Sequence, residues 1–251
     1  ALINRMGFNN EGAEAMAARL ARLKERRVPI AVNIGKNKAT PNDQAPEDYR
    51  KCLRALYPYG DFFVINISSP NTPDLRKLQH GEELKALLDA VRSEIAEQAA
   101  RTGGKPKPVV VKIAPDMTEA ELEQTVGILA DGGVSGIIAT NTTLSRDGLV
   151  HPNRSQQGGL SGRPLRARST DVIRAIYRLT GGRLPIIGSG GIFDARDAYD
   201  KIRAGASLVE VYTALIYKGP GVVRGIAAEL SDLLAQGGFR RIGDAVGADH
   251  R

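Results

Sequence analysis

Six short runs of apolar, mostly β-branched residues recur along the chain, and polar or glycine-rich residues follow each of them. The runs span residues 28–34, 62–67, 108–113, 135–140, 184–187 and 207–212. Their nearly continuous apolar character predicts β-strands that are buried on both faces, as the strands of parallel sheets are.

Helical patterns separate the predicted strands. They cover residues 49–56, 82–101, 169–179 and 221–234. Thr118 and Glu121 form a capping-box signature, which predicts the start of a further helix. The alternation of strand and helix predicts a parallel sheet whose strands are joined by right-handed crossovers.

Polar side chains stand at the carboxyl ends of the predicted strands. Asn33 follows the first strand, Lys112 lies at the end of the third, and Thr140 and Asn141 close the fourth. Functional residues at the carboxyl ends of successive strands are typical of a TIM (β/α)8 barrel, which is the fold predicted here. A doubly wound sheet is the alternative, because it binds ligands at one switch point of its carboxyl edge.

The number of strands sets the extent of the predicted barrel. Six strands can be counted where a closed barrel has eight, and residues 1–10 have the pattern of a polar loop. We therefore expect a single barrel domain over residues 1–251 that is truncated at its N-terminus to about six βα units. The barrel wall would have a gap next to the strand at 28–34.

Composition narrows the class of protein further. Hydrophobic residues make up 42% and charged residues 25% of the chain, as in globular α/β proteins. The only cysteine, Cys52, excludes an internal disulfide and is interpreted as structural. The three histidines are widely separated, so no metal site is predicted. The net charge of +7 is interpreted first as an ordinary solvated surface, with a phosphate ligand or an anionic membrane surface as alternatives. Few aromatic residues and the lack of a basic motif argue against a nucleic-acid partner.

Residues 66–73, Asn-Ile-Ser-Ser-Pro-Asn-Thr-Pro, form the most distinctive segment; we call it the Ser69 loop. Pro70 and Pro73 restrict the backbone on either side of them. The amides of Asn66 and Asn71 can donate and accept hydrogen bonds, and the Ser69 hydroxyl lies between them. These residues predict a loop that binds a flat, polar heterocycle and moves one proton on it. An ordinary polar turn is the alternative.

A glycine-rich segment at 188–191, which we call the glycine turn, follows the fifth predicted strand, and Tyr212 and Thr213 end the sixth. Barrels commonly bind a phosphate at the ends of their last two strands, where glycine lets the backbone approach the oxygens. Phe193 occupies the third glycine position of a dinucleotide fingerprint, which argues against that motif.

Lys112 ends a buried strand, where an unpaired charge is costly. Two interpretations stay open. Lys112 forms a salt bridge with Asp116 or another carboxylate, or it is a cation beside a cofactor that gains negative charge on reduction, as a flavin does.

Seven segments in a fixed order carry a family resemblance. They are Asn4-Arg5-Met6-Gly7-Phe8, Asn33-Ile34-Gly35-Lys36-Asn37, the Ser69 loop, Val111-Lys112-Ile113-Ala114-Pro115-Asp116, Thr140-Asn141-Thr142-Thr143, Gly158-Gly159-Leu160-Ser161-Gly162 and the glycine turn. This series resembles the motifs of dihydroorotate dehydrogenase. A serine in the catalytic loop is similar to the class 2, quinone-dependent enzymes, because the class 1 enzymes have cysteine there.

The resemblance implies an FMN-dependent oxidation of dihydroorotate to orotate in de novo pyrimidine (UMP) biosynthesis, with a quinone as electron acceptor. It implies that Ser69 is the base that removes the C5 proton while hydride leaves C6. The implied FMN ligands are Asn33, Asn66, Lys112, Thr140, Gly162, Gly190, Gly191, Tyr212 and Thr213. The implied substrate ligands are Asn4, Arg5, Met6, Gly7, Phe8, Asn66, Asn71, Asn141 and Thr142.

The sequence departs from the family pattern in two ways. Asp74 stands where the family usually has glycine, although aspartate tolerates a left-handed backbone better than most residues. The family's first strands, with an FMN loop and a substrate-binding lysine, have no counterpart. The family's N-terminal extension, which meets the membrane, also has no counterpart here. Through that extension we expect peripheral association with a bacterial cytoplasmic membrane or a mitochondrial inner membrane.

Two other functions remain as alternatives. One is a non-catalytic barrel fragment with a residual flavin or phosphate pocket. The other is a phosphate-binding barrel lyase, which is disfavoured because no acid and base carboxylates stand at the strand ends. Since open sheet edges promote aggregation, we expect residues 1–251 alone not to form a stable, FMN-loaded monomer.

Overall fold

The computed structural model describes all 251 residues, and most of its strands belong to one parallel sheet. The strands are β1 (Leu2–Asn4), β2 (Ala31–Ile34), β3 (Phe62–Asn66), β4 (Val109–Ile113), β5 (Gly136–Ala139), β6 (Gly159–Ser161), β7 (Ile186–Ser189) and β8 (Leu208–Glu210). Six of them pair in the order β2-β3-β4-β5-β7-β8, and every neighbouring pair is parallel. The sheet curls into a half-barrel with β2 and β8 at its edges. The predicted α/β barrel fold with six parallel strands is confirmed.

Helices pack on the outer face of the sheet; most lie between strands along the chain, and the last three follow β8. The helices are α1 (Ala13–Leu20), α2 (Ala45–Leu56), α3 (Gly81–Thr102), α4 (Glu119–Asp131), α5 (Arg166–Thr180), α6 (Ala195–Arg203), α7 (Thr213–Lys218), α8 (Gly221–Gln236) and α9 (Ile242–Ala245). None of these helices combines the length and the apolar character that crossing a lipid bilayer requires.

The start of α4 shows how local sequence determines a boundary. The Thr118 hydroxyl accepts a hydrogen bond from the Glu121 backbone N–H, and the Glu121 carboxylate accepts one from the Thr118 N–H. This reciprocal capping box satisfies two amide donors that have no partner inside the helix, so the predicted start is confirmed. The predicted helices at 49–56, 82–101, 169–179 and 221–234 are confirmed as α2, α3, α5 and α8.

Three local predictions are wrong. Residues 1–10 are not all loop, because β1 pairs antiparallel with the distant β6. The last strand ends at Glu210 rather than at 212, and Thr213 begins α7. Gly188 and Ser189, assigned to a turn, belong to β7, so that only Gly190 and Gly191 turn away from the sheet.

The alternation of side chains along each strand creates two different interiors. On the outer face, residues such as Phe63, Ile65 and Val111 join a buried core with the helices. On the inner face, Val64, Val110 and Ile138 form a small apolar cluster inside the half-barrel. Two positions further along each of these strands come Asn66, Lys112 and Thr140, which therefore lie on the same inner face, one layer nearer the carboxyl ends.

Candidate active site

A cleft of about 970 Å³, including its open mouth, lies at the carboxyl ends of the strands. The predicted site residues that line it are Asn4, Gly7, Phe8, Asn33, Asn66, Ser69, Asn71, Lys112, Thr140, Asn141, Thr142, Gly162, Gly190, Gly191, Tyr212 and Thr213. The structure thus brings together residues from segments spread over most of the chain, as expected for a barrel site.

Arg5 and Met6 are predicted site residues that do not line this cleft. The Arg5 guanidinium donates instead to the Gln156 side chain and to the Gln157 carbonyl. The Met6 residue is 63% exposed to solvent. Both flank lining residues, because Asn4 and Gly7 belong to the same segment and do face the cleft.

The Asn66 amide is the centre of a hydrogen-bond cluster in the Ser69 loop. Its Oδ1 accepts from the Ser68 backbone N–H, from the Ser68 hydroxyl at 3.0 Å and from Asn141 Nδ2 at 3.3 Å. Asn141 Nδ2 also donates to Ser68 Oγ at 2.9 Å. These bonds orient the two asparagine amides relative to each other before any ligand arrives.

Tyr49 holds the backbone of the same asparagine from behind. Its hydroxyl, on the buried face of α2, donates to the Asn66 carbonyl at 3.0 Å. Burial raises the pKa of Tyr49 well above its ordinary value, so the phenol remains a neutral donor. The end of β3 is therefore anchored to the helix layer.

Ser69 is buried and has an uncommitted hydroxyl hydrogen. Its Oγ accepts a hydrogen bond from the Asn71 backbone N–H at 3.2 Å, which is its only hydrogen bond within the protein. Asn71 Nδ2 in turn donates to the Asn4 carbonyl at 3.2 Å. The hydroxyl is thus oriented by the loop backbone and faces the cleft.

Arg76 joins the Ser69 loop to the loop that follows β5. Its guanidinium donates to the Ser68 carbonyl at 3.1 Å and to the Thr142 carbonyl at 2.9 Å. It also pairs with Asp116 at 2.8 Å, and Asp116 accepts from the Thr143 hydroxyl and the Leu144 N–H. One planar cation therefore sets the distance between two loops that line the cleft.

Asp74 directly follows the Ser69 loop and has a left-handed backbone, at φ 57°. It is the only residue other than glycine with a positive φ, which explains why the family usually has glycine here. Its carboxylate pairs with Lys77 at 2.8 Å, and that pairing lowers the pKa of Asp74. The expectation that aspartate tolerates this conformation is confirmed.

The glycine turn packs tightly against the start of α5. Gly190 and Gly191 have φ values of 119° and 74°. A Cβ atom on Gly191 would come within 2.6 Å of Arg166 Cα. Only glycine allows both this backbone conformation and this close approach, so the turn presents bare backbone to the cleft.

Buried polar groups support the glycine turn from behind. The Ser189 carbonyl accepts from the Thr140 N–H and from the Ser169 hydroxyl. Lys201, fully buried, donates to Ser169 Oγ at 3.0 Å. The buried Asp197 carboxylate accepts a hydrogen bond from the Phe193 N–H at 2.9 Å. It also pairs with the Arg166 guanidinium at 2.6 Å. Each polar group behind the turn has a partner, as buried polar groups require.

Lys112 forms a salt bridge, with Nζ 2.8 Å from Glu210 Oε2. The carboxylate is not Asp116, which is engaged with Arg76. Glu210 itself lines the cleft and was not predicted as a site residue. The alternation of side chains along β8 would have indicated it: Val209 packs among the helices, so its neighbour Glu210 points to the inner face. The other lining residues that were not predicted are Pro70, Ser161, Leu165, Ser189 and Ile192.

Cys52 does not take part in the site. Burial raises the pKa of the Cys52 thiol to about 11, so the thiol is protonated at neutral pH. The interpretation of Cys52 as a structural residue agrees with this environment.

Comparison with known proteins places this architecture in a family. The family model described as dihydroorotate dehydrogenase matches residues 1–234. A relative from Deinococcus radiodurans, named dihydroorotate dehydrogenase (quinone), is 60% identical over 98% of this chain and 67% of its own length. A relative of the same name from Anaeromyxobacter dehalogenans is 53% identical over 100% of this chain and 68% of its own length.

Solved structures show the same relationship in three dimensions. The DHODH of Eimeria tenella in complex with ferulenol matches with a TM-score of 0.90 and 41% identity, over 99% of this chain and 71% of that one. Its ligand-free form matches with a TM-score of 0.91 and 42% identity, over 99% and 74%. The chain belongs to the dihydroorotate dehydrogenase family, in its quinone-dependent class.

Proposed function

We propose that this protein binds FMN and oxidises dihydroorotate to orotate in pyrimidine biosynthesis, passing the electrons to a quinone. The observation that carries the proposal is the meeting of Ser69, Lys112 and the glycine turn in one cleft at the carboxyl ends of the strands. A potential base, a cation and an anion-binding backbone are the three elements that this reaction and cofactor need.

The chemistry of the lining residues fits FMN. The backbone of Gly190 and Gly191 offers a cradle that a Cβ atom would fill, in the usual phosphate position of barrels. Tyr212, Thr213 and Gly162 would complete the phosphate end. Asn33, Asn66, Thr140 and Lys112 would hold the ring system. When bound, the flavin supplies hydride acceptance from the substrate and electron transfer to the quinone.

The amide cluster fits the edges of the substrate ring. Asn66, Asn71 and Asn141 line the cleft and carry both donors and acceptors, which match an imide and a carboxylate. Asn4, Gly7, Phe8 and Thr142 would close the same subsite. Arg5 and Met6 remain predicted ligands on the family resemblance alone.

Ser69 is proposed to take the proton from C5 as hydride leaves C6. A neutral hydroxyl is a weak base, so this step depends on orientation and on concerted departure of the hydride. The Asn71 N–H donates to Ser69 Oγ and leaves a second lone pair of that oxygen free to accept the proton. The hydroxyl hydrogen, free of protein acceptors, is available to leave to solvent.

Peripheral association with a quinone-containing membrane is part of the proposal, because a lipid-soluble acceptor is reached at a bilayer surface. The net charge of +7 supports attraction to anionic lipid headgroups. The membrane would be the cytoplasmic membrane of a bacterium or the mitochondrial inner membrane. Sedimentation with vesicles, with and without anionic lipid, measures the association.

The central experiment uses the protein purified at its full natural length and the cofactor released from it, because residues 1–251 alone are expected not to form a stable, FMN-loaded monomer. We expect FMN by mass spectrometry, anaerobic bleaching of its absorbance by dihydroorotate, production of orotate, and recovery of the absorbance on adding a quinone. A soluble nicotinamide cofactor serves as the control acceptor. Release of FAD, or FMN that dihydroorotate leaves oxidised, would overturn the proposal.

A further inference from the structure

The cleft contains two charged side chains among its lining residues. They are Lys112 and Glu210, and every other lining residue is neutral. The formal charge of the cleft wall is therefore zero, although one cation is what a cofactor that becomes anionic on reduction calls for.

The two charges come from different parts of the sheet and converge on its inner face. Lys112 lies in β4, near the middle of the sheet, and Glu210 ends β8 at one edge. Their side chains are 18% and 35% exposed, with Nζ and Oε2 2.8 Å apart. Glu210 has no second cation as a partner, and the ion pair is its only salt bridge.

A carboxylate at this distance weakens what Lys112 does for a neighbouring anion. The field of Lys112 favours the negatively charged, reduced form of a bound flavin, while the field of Glu210 opposes it. Both groups are partly screened by solvent, so their effects are moderate.

We propose that Glu210 is a positioning residue that holds Lys112 and lowers the reduction potential of the bound flavin. The consequence is a division of labour: Lys112 assists hydride acceptance, and Glu210 keeps the reduced flavin from being so stable that transfer to the quinone stalls. This inference rests on the proposed function of the cleft as an FMN site.

The variant Glu210→Gln tests it, because glutamine has nearly the same shape and still offers an oxygen to Lys112 but has no charge. The measurements are the midpoint potential of the bound flavin and the dissociation constants of oxidised and dithionite-reduced FMN from the apoprotein. Compared with the wild type, we expect Glu210→Gln to have a more positive potential. We also expect its preference for reduced over oxidised FMN to be about tenfold greater. Glu229→Gln, on the exposed face of α8, is the matched control and leaves both unchanged.

Further variants separate an electrostatic role from a structural one. Lys112→Met is expected to shift the ratio of the two FMN dissociation constants, oxidised to reduced, in the opposite direction. The double variant returns this ratio toward the wild-type value. Glu210→Ala removes the same charge without introducing an amide. Where a variant retains FMN only weakly, titrating its apoprotein with FMN still gives the dissociation constants. An unchanged or lower potential in Glu210→Gln, or a change in thermal stability alone, overturns the inference. A wild-type protein that does not bind FMN is a failure of the proposed function, and it is seen before any variant is made.

Discussion

The Ser69 loop and the glycine turn line the same cleft, but different kinds of contact hold them. The start of the Ser69 loop is anchored by buried groups, Tyr49 and Asn66. Its link to the loop after β5 depends instead on side chains that solvent reaches in part: Arg76 and Asp116 are 21% and 26% exposed. The glycine turn depends on Ser169, Asp197 and Lys201, all of which are buried, and only the Arg166 guanidinium that pairs with Asp197 is exposed, at 48%. The contacts of Arg76 exchange more readily with water than those behind the glycine turn, because buried polar bonds leave costly unpaired groups when they break.

This difference matches what each region has to do. A substrate enters and leaves in every catalytic cycle, so a loop tied by partly exposed hydrogen bonds suits repeated exchange. A cofactor that stays bound suits a turn whose backbone is supported by buried groups. The comparison predicts that damage to the loop alters turnover and KM, while damage to the turn alters cofactor retention.

Replacing Ser69 by alanine is expected to have the largest effect. Loss of a positioned base typically slows proton transfer by about 10²–10⁴-fold. Single-turnover reduction of the flavin by dihydroorotate measures this step, and FMN affinity and orotate affinity serve as readouts that stay nearly constant. Ser93→Ala, on the exposed face of α3, is the matched control. Reduction at the wild-type rate would show that another group takes the proton.

Gly191→Ala tests the other side of the comparison. The new Cβ meets Arg166 backbone atoms, so the turn must shift, and FMN binding is expected to weaken about 10–100-fold, as overpacking costs about 1–3 kcal/mol. Gly219→Ala is the control: its φ of 72° is nearly the same as the 74° of Gly191, but nothing lies within 4 Å of its Cβ. Equal loss of FMN in both variants would attribute the effect to backbone strain alone.

Arg76→Lys is expected to have an intermediate effect confined to the substrate side. Lysine keeps the charge but cannot reach the Ser68 and Thr142 carbonyls and Asp116 at once. The KM for dihydroorotate is expected to rise about tenfold, since hydrogen bonds to charged groups contribute about 1.5–3 kcal/mol. FMN affinity is the second readout, and it is expected to stay nearly constant because the effect is confined to the substrate side. Arg92→Lys, in an exposed pair with Asp89, is the control, and an equal loss of FMN affinity would contradict the separation of the two regions.

The smallest effect concerns pH and the support of the glycine turn. Burial lowers the pKa of Lys201 to about 8, from an ordinary value of 10.5. Between these values the unfolded chain binds more protons than the folded one, so Lys201 contributes stability that rises with pH. The free energy of unfolding of the wild type, relative to Lys201→Met, is therefore expected to increase from pH 8 to pH 10. Lys105→Met, at an exposed position, is the matched control, and a trend shared by both variants would exclude Lys201 as its origin.

The parts of the site that could be predicted from the sequence are those that follow from one strand at a time. Asn66, Lys112 and Thr140 end apolar runs, so strand periodicity and the barrel rule place them at the same rim. Ser69 and the glycines follow from turn chemistry in the same way. Each of these inferences uses only local sequence and one general property of parallel sheets.

The parts that could not be predicted depend on two distant segments meeting. The partner of Lys112 is Glu210 and not the nearby Asp116, because β4 and β8 face each other across the concave sheet. Arg76 is recognisable only once the Ser68 and Thr142 carbonyls lie side by side. The β1 strand has three residues and no local signal, and its conformation depends on pairing with β6.

That pairing has a consequence for the order in which the molecule assembles. Leu2 and Ser161 are joined across 159 positions, and the β1 segment also carries Asn4 into the cleft. Closing so long a loop is entropically unfavourable until the intervening βα units have condensed, so this wall of the cleft forms late in folding. Amide protons of β1 and β6 are then expected to exchange with solvent sooner than those of the central strands, and the cleft is complete only after the central sheet has formed.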